Sequence, residues 1–459
     1  MNELNIYLLK DMPPEVKAVT FAKCSRSPDS FSDIARELTE EKSKEFHEKW
    51  VVGYGHSSVA EHAVLSIAME NVSILATKVI EDNRLASFTE KSTRYQIFNR
   101  DKYYKPENIL NDPEYKAIYE ETQNFLFDTY ERLSNPMIEF FSNRITREDG
   151  IGEIQYKTIL KSKACDEVRF LLTPATLTNM GMTINARNLE HAITKMLSNP
   201  LQEIQNIGNA LKQIGQEETP TLLKYANPNS YISDTDKKLD LISEFVLTTP
   251  PEIDDSPVTI VDYDHDAEDK LITALLYKHS TLSYTQIKEQ VKNLSFEHKL
   301  KIINEALNER GNHDQPLREL EHIYYTFDVL IDYGAFRDIQ RHRMVTQTNQ
   351  KLTPNIGYTI PKLIIEAGFE KEFRDCMEKA KEGYNKLFTK YPNEAEYVLP
   401  LAFKKRVLMT WNLRELHHFI SLRTGKMGHW SYRSVAQQCY RELEKIHPIL
   451  AKYIRVNLD

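Results

Sequence analysis

Arginine and histidine set close together bind anions, because the planar guanidinium matches phosphate oxygens and keeps its charge at any physiological pH. The chain carries such a set at Arg341-His342-Arg343. Hydroxyl and guanidinium groups meet again at Ser92, Arg94 and Tyr95, shortly after Glu90. A third pattern, Asn-x-Arg-x-Leu-x-His, occurs twice: Asn185, Arg187, Leu189 and His191, then Asn412, Arg414, Leu416 and His418. With only 14 glycines and no GxGxxG or GxxxxGK[ST] run, the chain has to hold phosphate with side chains rather than a glycine-lined backbone cradle.

Elements must bring these groups together. Phe327, Leu330, Ile331, Ala335 and Ile339 recur at helical spacing, which predicts an amphipathic helix ending at Arg341-His342-Arg343. Cations at a helix C-terminus also suit the macrodipole, so this cluster by itself reads equally as a solvated helix end. Val72, Leu75, Ala76, Val79 and Ile80 predict a second helix, running into residues 81–95. Residues 5–9 and 258–261 are strand candidates, a helical region extends through 40–52, and 104–163 reads as helices on a polar surface. The i,i+4 pairs Arg187/His191 and Arg414/His418 also fit plain helix faces. His62 and His322 read as buried structural histidines, with Glu61 and Glu321 in packing or hydrogen bonding.

At 459 residues the chain exceeds what one core usually organises. A net charge of −8 argues against a surface devoted to nucleic-acid backbone. No apolar run approaches a membrane span and the N-terminus lacks a signal-sequence pattern, so a cytoplasmic location follows by default. Cys24, Cys165, Cys376 and Cys439 are far apart, without metal-ligand spacing, and read as reduced, mostly buried thiols; no metal is expected. After Pro220 the composition turns polar, which places a linker over 226–256. Landmarks of the first half then return in order: His56 with Glu61-His62 as His313 with Glu321-His322, Arg84 as Arg343, and the Asn-x-Arg pattern itself. The chain is therefore read as two copies of one domain, 1–225 and 257–459.

These residues resemble the flavin-dependent thymidylate synthases, whose signature is R-H-R, seven residues, Ser, x, Arg and Tyr, with an N-x-R segment later. The signature is divided here. The first half keeps the tail, Glu90, Ser92, Arg94 and Tyr95, but has Asp82 and Asn83 at the head; the second keeps Arg341-His342-Arg343 but has Asn349, Lys351 and Thr353 in the tail. The resemblance implies an α/β (α+β) fold, with helices packed on a small, mostly antiparallel sheet, present twice. Helical periodicity dominates the sequence, so a largely helical class is the alternative.

The resemblance also implies FAD as cofactor, a pyrimidine nucleotide as substrate, and NADPH and methylenetetrahydrofolate as co-substrates. His56, Ser58, Glu90, Asn185, Arg187, His191, Arg341, His342, Arg343, Asn412, Arg414 and His418 fall at cofactor positions. Ser92, Arg94, Tyr95, Arg169 and Arg341 fall at nucleotide positions, and Arg423 at that of the arginine that polarises the uracil ring. Met196 stands opposite Arg423, and Glu396 opposite Arg169. No protein nucleophile is needed, in keeping with a sequence that shows no catalytic cysteine or carboxylate pair. The family's sites lie between subunits, so either a homodimer of four domains or a monomer with an internal pseudo-dimer is expected. Two other readings stay open: a flavin- and nucleotide-binding paralogue with a different reaction, and a non-catalytic nucleotide- or RNA-binding relative.

Overall fold

The computed structural model describes residues 5–25, 27–38, 43, 45–46, 57–248 and 256–459. Two antiparallel sheets organise it. The first comprises β1 (Val64–Ser73), β2 (Ala86–Glu90) and β3 (Leu177–Asn185), in the order β1-β3-β2. The second comprises β4 (Val258–Tyr263), β5 (Tyr324–Asp332), β6 (Thr346–Asn349) and β7 (Lys404–Asn412), in the order β4-β5-β7-β6.

The repeat shows in register as well as in order. Val64 pairs with Asn185 at one end of the first sheet, as Tyr324 pairs with Asn412 in the second. β1 runs directly into helix Ile74–Ile80, whose first turn is capped by Ser73 Oγ accepting from Ala76 N at 2.9 Å. β5 does the same through Asp332 Oδ1, which accepts from Ala335 N at 2.7 Å before helix Tyr333–Ile339. Asn185 and Asn412 cap the helices Ala186–Leu197 and Leu413–Arg423, accepting from Asn188 N at 2.9 Å and Glu415 N at 2.8 Å. The repeated asparagine is thus a helix start signal.

Several expectations change. Residues 327–332 are strand, not helix: Tyr325, Phe327 and Val329 alternate into the core, and the helix begins only at Tyr333. Likewise Val72 belongs to β1. Residues 5–9 form no strand, so β4 has no described counterpart beside β1. The linker stretch holds a helix, Ser230–Val246, none of whose residues is buried. His62 and His322 are exposed rather than buried, and most of 40–52 lies outside the described residues.

The region 104–163 is not a polar surface layer. Its long helix, Pro113–Ser142, buries Tyr119, Leu126, Phe127, Tyr130, Leu133 and Met137 and packs against helix Glu370–Phe388 of the second half. Gln123 joins the halves, donating to Tyr397 O at 2.9 Å while accepting from Thr173 Oγ1 at 2.8 Å. One apolar core runs through both halves, beside a small separate cluster of Val16, Val19, Ile34 and Leu38. Where the two helices approach, a Cβ on Gly383 would lie 2.5 Å from Thr122 Oγ1, itself held by Ile118 O at 2.7 Å. Gly383→Val is therefore expected to lower unfolding free energy by about 1–3 kcal/mol. Urea denaturation checks this; Thr122→Ala should restore part of the loss, and an unchanged midpoint would mean that the contact yields freely.

Candidate active site

The ends of the two short helices meet at the junction of the halves, where Gln340 Nε2 donates to Lys78 O at 2.8 Å. Around this point the second half's Arg341 reaches the first half's Glu90. Arg337 Nη2 and Thr77 Oγ1 donate to Glu90 Oε1 at 2.5 and 3.2 Å; Arg341 Nη2 and Lys78 Nζ reach Oε2 at 2.9 and 3.5 Å. Burial alone would raise this carboxyl's pKa, but Arg337, Lys78 and Arg341 outweigh it and hold it at about 2. Glu90, expected to touch cofactor, has both oxygens occupied and instead anchors the other half's arginines.

Beside this junction opens a cleft of about 630 Å³. Val64, Arg84, Ala86, Ser87 and Asn185 line it from the first half, and Arg341, His342, Arg343, His418 and Arg423 from the second. Four arginines face one lining carboxylate, Glu415, whose Oε1 lies 2.9 Å from His342 Nδ1. Leu85, Met344 and Leu422 give apolar wall. Arg343 Nη1 donates to Arg84 O at 3.3 Å, and Arg84 Nη2 to Thr346 Oγ1 at 3.2 Å, so the two signature heads clasp each other across the halves.

Arg423 and Arg169 come to the same place. Arg423 Nε donates to His342 Nε2 at 2.9 Å and its Nη2 to Asp338 O, while the Asp338 carboxylate lies 3.8 Å from Arg169 Nη2. Arg169 is 3% exposed, and its Nε and Nη2 have no hydrogen-bond partner among the described residues. Burial pushes its pKa down from the usual arginine value. A buried guanidinium with idle N–H groups is costly unless an anion completes it. Arg94 is engaged on the far side: Nε and Nη2 bind Asp166 at 2.6 and 2.9 Å, and Nη2 lies 3.4 Å from Met427 O. Ser92 Oγ accepts from Arg94 N at 3.2 Å, and Tyr95 is exposed.

The chain matches the family model Thy1, thymidylate synthase complementing protein, over residues 7–221 and again over 259–449. It belongs to this family. The Thy1 chain is 32% identical over 486 residues to a UPF0159 protein of Chlamydia pneumoniae, covering 98% of this chain and 91% of that protein. It is 29% identical to a UPF0159 protein of Thermoplasma acidophilum, covering 93% and 92%. A flavin-dependent thymidylate synthase of Clostridium tetani is 27% identical over 228 residues, 49% of this chain and 88% of that one. Among solved structures, the flavin-dependent thymidylate synthase of Helicobacter pylori, complexed with FAD and dUMP, aligns with 44% of this chain and 99% of its own at 18% identity and TM-score 0.33.

At the equivalent positions of the opposite half the side chains find local partners. Asp82, at the place of Arg341, is paired with Lys195 at 2.5 Å. Asn83 caps the preceding helix through Ile80 O at 2.8 Å, and Met196 is buried. In the second half's tail Lys351 pairs with Asp240 of the exposed helix at 2.5 Å. Desolvation raises half-buried Glu396 to about 7 and lowers buried Lys405 to about 8, each partly offset by the other's charge.

Not every expected contact reaches the cleft. Arg187 and Arg414 pair with Glu61 and Glu321, the latter at 2.8 Å, tying each Asn-capped helix to the short turn before β1 or β5. His191 and Asn412 do not line the cleft, nor does Ser58, and His56 lies outside the described residues. Arg84, Arg337, Asp338 and Glu415 were not foreseen as site residues. Arg84 carried a signal, being the repeat counterpart of Arg343; the others have no spacing that marks them.

Proposed function

We propose that this cleft binds FAD and a pyrimidine nucleotide and that the protein methylates the base, converting deoxyuridylate to thymidylate with methylenetetrahydrofolate and NADPH. The observation that carries this is the cationic cleft built from both halves, together with the idle N–H groups of buried Arg169. Four lining arginines suit phosphate and pyrophosphate, the apolar wall suits a planar ring, and the volume lies within the range of small-molecule sites. Arg341, Arg343 and Arg84 would hold the anionic groups and Asn185 and His418 the edge of the cofactor, while Arg169 and Ser92, which do not line the cleft, would meet the nucleotide from beside it. Arg423 would carry negative charge developing on the pyrimidine, a role that needs a fixed donor rather than a nucleophile. Bound flavin supplies the redox chemistry these side chains lack.

One observation favours a second reading, a paralogue that binds flavin and nucleotide but runs a different reaction. Nε and Nη2 of Arg94 are committed to Asp166, so in this arrangement the nucleotide would be held without them.

The test is an absorbance titration. Purified protein mixed with FAD should give a flavin spectrum saturating at one FAD per chain, because the Asp82 side offers no second arginine cluster. NADPH oxidation and release of the uracil C5 hydrogen should then depend on deoxyuridylate. Protein that takes up no FAD overturns both readings, and flavin binding without hydrogen release selects the second. Light scattering separates a homodimer, at twice the chain mass, from a monomer with an internal pseudo-dimer.

A further inference from the structure

The cleft's wall contains a relay of three side chains, Glu415, His342 and Arg423, held from behind by the Asn412 cap. Asn412 Oδ1 accepts from Glu415 N at 2.8 Å, fixing the first turn of helix Leu413–Arg423. Glu415 Oε1 lies 2.9 Å from His342 Nδ1. On the ring's other side Arg423 Nε donates to His342 Nε2 at 2.9 Å, and Arg423 Nη2 donates to Asp338 O. Arginine has donors only, so Nε2 must accept, and a neutral imidazole that accepts at Nε2 carries its hydrogen at Nδ1, directed at the carboxylate. The geometry thereby determines both the tautomer and the charge state of His342.

We propose that neutral, Nδ1-protonated His342, oriented by Glu415, is the positioning residue that aims Arg423 into the cleft, and that protonating it releases Arg423. The link to turnover rests on the function proposed above; the tautomer and the contact do not. A protonated ring would present Nε2–H to Arg423 Nε–H, two donors and two positive charges face to face. The contact therefore exists in one charge state only.

The surroundings of His342 favour that state. Its side chain is 3% exposed, with Phe419 edge-on at 5.1 Å and the His418 ring at 5.5 Å. Helix Leu413–Arg423 contributes Glu415, His418 and Arg423; its own segment contributes Arg341, Arg343 and the Asp338 carboxylate; and Arg84 shares the cleft from the first half. From the strand that follows, Gln347 donates to His342 O. Burial lowers the pKa of His342 below its ordinary 6.5, Arg423 and His418 add to this, and the Glu415 hydrogen bond and charge oppose it. Removing the Glu415 charge therefore lowers it further.

Nitrogen NMR of the unliganded protein labelled at histidine, with His342→Leu assigning the signal, tests the relay without turnover. At pH 7 we expect one neutral ring with a protonated Nδ1, and in Glu415→Gln the midpoint of its titration moves to lower pH. An Nε2-protonated ring, a charged ring at pH 7, or a midpoint that stays put or rises overturns the proposal.

Where the protein turns over deoxyuridylate, His342→Leu should lower kcat on the order of 100-fold with KM nearly unchanged. His342→Gln, whose amide offers both an acceptor and a donor, should recover part of the rate. In an Arg423→Ala background His342→Leu should cost nothing more, whereas additive losses would show that it does not act through Arg423. If no turnover is found, the functional reading fails and the NMR result still decides the positioning.

Discussion

Glu90→Ala is expected to destabilise the protein by about 3–5 kcal/mol, mainly the cost of stranding buried Arg337 without its counter-charge, since Lys78 and Arg341 keep Glu81. Lys78 and Arg337 are both buried, and the same carboxylate takes Arg341 from the cleft's edge, so three positive groups lose one partner. The loss falls at the junction of the halves, because Glu90 ends β2 of the first while Arg337 and Arg341 belong to the second. Guanidinium denaturation should show a lowered midpoint, and Glu90→Gln, which keeps one acceptor but no charge, should fall between. The pH dependence has a definite sign. A carboxyl held at about 2 when folded and near the ordinary 4.5 when unfolded contributes its full stabilisation above 4.5. That contribution fades as pH falls toward 2. The acid limb of wild-type stability between these values should therefore flatten in Glu90→Ala. A variant as stable as the wild type would show that the arginines are solvated rather than bound by this residue.

The second large effect concerns rate. Arg423→Ala should lower deoxyuridylate turnover by about 10²–10³-fold, the usual consequence of removing one fixed donor that faces developing negative charge. The fold should persist, since the guanidinium binds the His342 ring, the Asp338 carbonyl and the neighbouring Tyr432 rather than bridging core elements through a carboxylate. Steady-state kinetics with circular dichroism as a control is sufficient. Arg423→Lys should recover little, because a point charge cannot reach both His342 and Asp338 as a two-armed guanidinium does. Full activity in the alanine variant would remove Arg423 from the chemistry.

The sequence made the repeat, the anion-binding arginines and the family resemblance readable, because these depend on residue identity in order along the chain. Strand β5 was not readable, for a physical reason: Val329, Leu330, Ile331 and Asp332 are all buried, so period-two alternation fades where both faces are covered. Phe327, Leu330 and Ile331 then imitate a helical stripe. The interface helix Pro113–Ser142 was misread because its contacts with the other half use Thr122 and Gln123 as well as apolar groups, and such residues look like surface in a single chain. In the site, Asp338 links two of the expected arginines. Its carbonyl and carboxylate bring Arg423 and Arg169 into one neighbourhood. No spacing rule marks an aspartate for that role.

Joining the halves in one polypeptide changes what mutation can do. In an assembly of identical subunits a substitution is inherited by every equivalent pocket together, so none can be given up without the rest. Here Asp82 and Met196 stand on one side while Arg341 and Arg423 persist on the other. Within one polypeptide the two equivalent sets of residues can therefore differ independently, as these do.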